Sequence, residues 1–325
     1  MPAFRITLAY EGTRFVGWQR QAAGTSIQGL LEDALRALAG REVVVAGSGR
    51  TDAGVHALGQ VASFLLDRPI APDALVRALN ARLPGEVRVL TAQAVPPDFH
   101  ARFAARFKTY RYRIWNAGIM SPFERRYAWQ VIDPLDVEAM SVAARLVEGH
   151  HDFAAFRAAG SATRATERTI TASRIVSDRG STTRAVTGGE HGTPCSATVP
   201  DGDPFDVLRP GVPAGALIFY DITGDGFLRH MVRTIVGTLV EIGRGRQPAG
   251  WMQEVMASGD RTRAGPTAPP EGLFLVRVDY DVSRGGGPPE ACRTHLGQAD
   301  GPSGAILTHA LTGSVPGTRR RPPTS

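Results

Sequence analysis

The stretch AGSGRTDAGVHALGQ, residues 46–60, decides the fold class. Just before it, EVVVA (42–46) has the β-branched composition of a strand, and Gly47 and Gly49 then imitate the opening of a dinucleotide-binding loop. In that loop a third glycine stands where Asp52 stands here, and a helix follows. This chain instead runs through VHALG into QVASFLL (60–66), a second strand, so no helix N-terminus is on offer for a pyrophosphate. A Walker loop is excluded as well, because no Gly-Lys-Ser/Thr occurs. The segment GTRFVGW (12–18) does not keep the aromatic order of an RNA-recognition strand. What remains is a glycine-flanked carboxylate on a tight connection between two strands, with Arg50 two residues before it.

Working outward, RITLAY (5–10) alternates as a strand does. A helix follows, opened by Thr25 with Gln28 three residues on, the pattern of a capping box. Its apolar stripe is Ile27, Leu30, Leu31, Ala34, Leu35 and Leu38, and Gly40 closes it. A second helix starts at Pro72 with Leu75, Val76, Leu79 and Leu83 at helical spacing, and 87–95 returns as a strand. The order is β-α-β-β-α-β, the ferredoxin-like arrangement. The same grammar resumes with strands at 107–116, 169–176, 216–223 and 273–280 and helices at 137–147, 228–242 and 251–256. The expected fold class is therefore α+β, with one ferredoxin-like half over residues 1–96 and a second over 97–282. Two Gly- and Pro-rich stretches break the pattern, and a low-order insertion at 177–214 and a disordered tail at 283–325 are expected.

The chain has 325 residues, 42% hydrophobic and 21% charged, enough for a sizeable core. No apolar run approaches the ~20 residues of a membrane span, and the first residues lack the basic-then-apolar order of a secretion signal, so a cytoplasmic location is expected. Cys195 and Cys292 are the only cysteines, too few for a disulfide framework or a cysteine-rich zinc site. The net charge of +6 points to an anionic partner, although the last 43 residues, with five arginines against two acids, hold half of it. Lys108 is the only lysine. Every other cation is an arginine, the better fork for phosphate, unless that usage reflects a codon bias.

On residue types alone the candidate site residues keep two readings. Asp52 is either a loop-shaping Asx turn or a carboxylate suited to nucleophilic or base chemistry, kept ionised by a nearby guanidinium. Tyr110 reads as strand core or sheet surface. Arg229 and Arg233 stand at i, i+4 on the flank of the 228–242 helix, where they line a cleft or a solvated edge. His150, His151 and Asp152 have no zinc-ligand spacing, so surface or structural roles and no metal are expected. His56 reads as a loop stabiliser.

A further set of blocks narrows the choice. GRTDAGVHALGQVASF resembles the active-site block of the tRNA pseudouridine synthase A (TruA) family, which modifies the anticodon stem-loop. YEGTRFVGWQRQ, TSIQGLLEDAL, FHARFAARFKTYRYRI, GHHDFAAFR, DGFLRHMVRTIVGTLVEIGRG and DRTRAGPTAPPEGLFLVRVDY stand in that family's order and cover most of residues 4–281. The resemblance implies a pseudouridine synthase fold with a central basic cleft, action at tRNA positions 38, 39 and 40, no cofactor, and a homodimer with tRNA as partner. It implies Asp52 as the catalytic nucleophile and Tyr110 as the residue packing against the target base and assisting proton loss from C5. It implies Arg233 as the basic partner of the aspartate, and Arg50 as a residue holding RNA where the base is extruded. Glu11 and Arg229 depart from the family's commoner residues. A catalytically silent RNA-binding protein on the same fold is the competing expectation.

Overall fold

The computed structural model describes residues 1–161, 165–177 and 217–281. The expected insertion, save its first residue, the expected tail, Cys195 and Cys292 lie outside the described residues. Strand β1 (Ala3–Tyr10) leads to helix α1 (Ile27–Ala39), then β2 (Ala46–Gly47), β3 (His56–Leu65), α2 (Pro72–Asn80) and β4 (Val87–Val95). There follow β5 (Ala105–Trp115), β6 (Trp129–Gln130), α3 (Val137–Arg145), β7 (Gly149–Asp152), β8 (Glu167–Ser177), β9 (Leu217–Gly224), α4 (Met231–Gly243), α5 (Trp251–Ser258) and β10 (Leu273–Tyr280).

One sheet carries all the strands, in the order β4-β1-β3-β10-β5-β9-β8-β7, with β2 on β3 and β6 on β5. Its ladders are antiparallel except for β10 on β3 and β6 on β5. The parallel pairing is short: Phe274 and Leu275 of β10 lie against His56 and Ala57 at the start of β3. That contact joins β3, just after residue 52, to the last strand of the described chain.

The helices form because their apolar residues fall on one face. Ile27, Leu31, Ala34 and Leu35 of α1 and Leu75 and Leu79 of α2 are buried. Helix α4 is buried almost all round, as a helix packed on several sides must be. The αL conformation of Gly40, φ 72°, ends α1 where the sequence expects it.

Three local expectations are corrected. The N-cap of α1 is Ser26, whose Oγ accepts from the Gly29 amide at 3.2 Å, and not Thr25. Gln28, the expected capping-box partner, instead accepts from the Arg20 amide and donates to the Val45 carbonyl, at 3.1 and 3.0 Å. Residues 42–45 are not a strand, and only Ala46 and Gly47 pair with β3. Val43 and Val45 are buried by the alternation, but both backbone groups of Val45 bond to α1 side chains, Glu32 and Gln28. The helix expected from 228 begins at Met231, so Arg229 lies before it and not one turn from Arg233.

Candidate active site

Asp52 sits in the connection from β2 to β3, and the loop is fixed from below and from the side. Below it, Thr51 Oγ1 and the Tyr10 hydroxyl bond at 2.8 Å; Gln60 donates to the Gly49 carbonyl at 3.1 Å, and the Ser48 hydroxyl donates to Gln60 at 2.6 Å. Burial pushes the Tyr10 phenol up to about 12, so it stays a neutral hydrogen-bonding group. From the side, the loop after β1 packs on the backbone of 51–55. A Cβ on Gly12 would stand 2.0 Å from the Val55 carbonyl oxygen, and Gly17, at φ +100°, would meet that of Thr51 at 2.5 Å. Only glycine admits two backbones this close. The Trp18 amide donates to Thr51 O, and the Val55 amide to Asp52 O. These constraints hold the carboxylate over the sheet with 28% of its side chain exposed.

Two cationic or titratable groups reach Asp52 Oδ2. Arg233 Nη1 lies at 3.4 Å and His230 Nε2 at 3.6 Å. Arg233 comes from the first turn of α4, and the segment after α5 anchors it: its Nε donates to the Ala268 carbonyl at 2.7 Å, while the Ala268 amide donates to the Arg233 carbonyl at 3.1 Å. That segment lies flush on α4 because neither Gly237 nor Gly265 carries a side chain where they meet. His230 is the helix N-cap in the left-handed region, φ 64° and ψ −2°, which swings its ring toward Asp52. It is the only non-glycine residue at positive φ among the described residues, a conformation held only where the surroundings enforce it. Burial lowers its pKa most, and Arg233, Arg229 and Arg261 lower it further against the opposing pull of Asp52. Around neutral pH the ring is therefore uncharged and the cation at the carboxylate is Arg233.

Tyr110, on β5, is buried, and its ring meets Phe227 edge-on with centroids 5.0 Å apart. Burial first, then Tyr10 and Asp52, raise its pKa, so the phenol is neutral at physiological pH and is a wall and a hydroxyl, not a phenolate. Asp52, Tyr110 and Arg233 thus come together from a loop, a strand and a helix. Arg50 does not join them: it is exposed and forms no ion pair among the described residues, and the guanidinium at the carboxylate is Arg233.

His56 is buried with both ring nitrogens occupied, Nδ1 accepting from the Gly12 amide and Nε2 bonded to the Arg126 carbonyl, each at 2.9 Å. It stacks on Phe274 at 4.6 Å and supports the loop. His150, His151 and Asp152 lie in β7 against β8. Sequence reasoning missed His230. Its spacing of three before Arg233 was a signal, but the left-handed turn that aims it was not.

Known proteins resemble this chain over most of its length. A sequence model described as tRNA pseudouridine synthase matches residues 6–104 and 143–281. The tRNA pseudouridine synthase A of Myxococcus xanthus is 45% identical over 280 residues, 86% of this chain and 92% of that protein. Those of Moorella thermoacetica and Afipia carboxidovorans are 43% and 40% identical, each over 86% of this chain and their own full length. With a family match over more than half its length and relatives aligned nearly end to end, the chain belongs to the tRNA pseudouridine synthase family.

Proposed function

We propose that this enzyme isomerises uridine to pseudouridine in the anticodon stem-loop of tRNA, at positions 38, 39 and 40, with Asp52 as the nucleophile. The observation that carries the role of Asp52 is its carboxylate, paired with Arg233 at 3.4 Å and standing beside the buried Tyr110. The reaction breaks the N1–C1′ bond, turns the uracil and forms a C5–C1′ bond; C5 gives up its proton and N1 gains one. No atom is gained or lost overall, so one carboxylate and a shaped pocket suffice. The target base must leave the stack, which costs a few kcal/mol and favours an aromatic or apolar wall. Tyr110, backed by Phe227, supplies that wall, and its neutral hydroxyl assists at C5 by hydrogen bonding. Arg233 pairs with the carboxylate and aims it, and Arg50, exposed on the same loop, faces the RNA.

The fold supports a reading as two ferredoxin-like halves. The first half orders its strands β4-β1-β3-β2, and the second orders β10-β5-β9-β8, each the sequence 4-1-3-2 of a β-α-β-β-α-β unit. Asp52 comes from the first half and Tyr110 and Arg233 from the second, which supports a substrate cleft where the halves meet. Function as a cytoplasmic homodimer belongs to the same proposal and is supported by the family resemblance.

The test is release of tritium from tRNA labelled at C5 of uridine, without ATP or reductant. Wild-type protein should release label in step with pseudouridine formed, and Asp52→Asn, which keeps the side-chain shape, should fold, bind tRNA and release none. Turnover by Asp52→Asn would refute the nucleophile assignment.

A further inference from the structure

Lys108 is absorbed by none of the roles above, although it stands two residues before Tyr110 on β5. Residues i and i+2 of a strand share a face and lie about 7 Å apart, so Lys108 and Tyr110 face the same side of the sheet. The Lys108 stem lies on the Asp52 loop: a Cβ on Gly49 would sit 3.5 Å from its Cε. Across the ladder the residue facing it on β9 is Gly224, where a Cβ would meet the Ile170 side chain at 2.6 Å.

The charges around it are unbalanced. Lys108 is half-buried and makes no ion pair among the described residues. Burial lowers its pKa most, and Arg102 and Arg168 lower it further. Asp225 alone opposes them, and its Oδ1 already accepts from the Thr169 amide at 3.1 Å. Arg168 donates its Nη1 to the Ala165 and Glu167 carbonyls and, among the described residues, to no carboxylate. Lys108 thus holds its charge against the nucleophile loop with two arginines acting on it, a cost to the free protein that a bound anion relieves.

We propose that Lys108, flanked by Arg102 and Arg168, is a phosphate site that holds the RNA backbone at a linkage adjoining the reacting uridine. The proposal rests on the tRNA reading above. It gives Lys108 a binding role distinct from the chemistry at Asp52, because the strand spacing sets the phosphate beside the base wall and not over the carboxylate.

The experiment compares the full-length protein with Lys108→Gln on three anticodon stem-loops. One carries natural phosphates, and the other two carry a single uncharged methylphosphonate on the 5′ or the 3′ side of the target uridine. On the natural RNA, Lys108→Gln should weaken binding about tenfold, as loss of a charge-assisted contact does, and flatten the log–log salt dependence by ~0.7–0.9. On one of the two methylphosphonate RNAs the variant and wild type should bind alike. Lys108→Met, which keeps the stem on Gly49, should repeat the result and show no loss of thermal stability. Equal loss on all three RNAs, or no loss on any, would overturn the site. Pseudouridine formation on the natural stem-loop is measured alongside. Absence of turnover by wild type refutes the enzymatic reading, whereas the binding comparison judges Lys108 independently.

Discussion

Replacing Gly237 by alanine sets two effects of opposite sign against each other. In a helix interior the change ordinarily gains about 1 kcal/mol from backbone propensity. Here the new Cβ would stand 1.7 Å from the Pro266 carbonyl oxygen. Reaching even 3.0 Å, the floor of real Cβ contacts, requires the 265–268 segment to withdraw by about 1.3 Å from close-packed surroundings. That segment carries the Ala268 carbonyl bonded to Arg233 at 2.7 Å, the Ala268 amide bonded to the Arg233 carbonyl, and the Gly265 amide bonded to Thr238 Oγ1 at 3.0 Å. Loss of one charged and two neutral hydrogen bonds costs about 3–5 kcal/mol. Set against the propensity gain, the net is about 2–4 kcal/mol destabilising, a fall of roughly 4–8 °C in Tm for a domain of this size. The same withdrawal releases the anchor of Arg233, and misplacement by about 1 Å at a reacting group costs on the order of 100-fold in rate. Thermal unfolding followed by circular dichroism, with tritium release for kcat/KM, measures both. A Gly237→Ala protein more stable than wild type and equally active would show that the α4 contact does not hold the site.

Arg233→Ala should lower kcat/KM about 30- to 150-fold, or 2–3 kcal/mol. That lies below the value for a fully buried pair because Asp52 is 28% exposed, and near-wild-type turnover would remove Arg233 from the site. The His230 pKa is lowered below its usual 6.5 in the folded state, so its neutral form contributes stability above that value which is lost as pH falls through the folded pKa. His230→Asn, which tolerates the left-handed backbone, should therefore lose less Tm than wild type between pH 7 and pH 5, and parallel pH profiles would contradict the assignment. Ser26→Ala should cost about 1 kcal/mol and about 2 °C in Tm through loss of the α1 cap, with activity unchanged in the tritium assay.

Which residues make helices and strands follows from short-range causes. The stripe from Ile27 to Leu38, proline at the first turn of α2, Gly40 after α1 and the alternation of 87–95 all act within one turn or one pleat, and each was legible in the linear chain. The exclusion of a dinucleotide fold was equally local, because it needed only the strand that follows Gly59. Where local causes compete, tertiary contacts choose. Val45 has the composition of a strand, yet Gln28 captures its carbonyl and Glu32 its amide in place of a ladder.

The partners of Asp52 lie beyond local reach. Arg233 is 181 residues away in sequence, and it arrives because β10 enters the sheet between β3 and β5 and the 265–268 segment packs on α4. Helical spacing set Arg229 beside Arg233, whereas the positive φ of His230 starts the helix later and turns the imidazole to the carboxylate instead. The sequence by itself determined the elements, the glycine-flanked aspartate and the family whose motifs it carries. Only the packed structure decided which charges meet at that aspartate, because the backbone turn and the strand order that aim them are chosen by the burial of residues far apart in the chain.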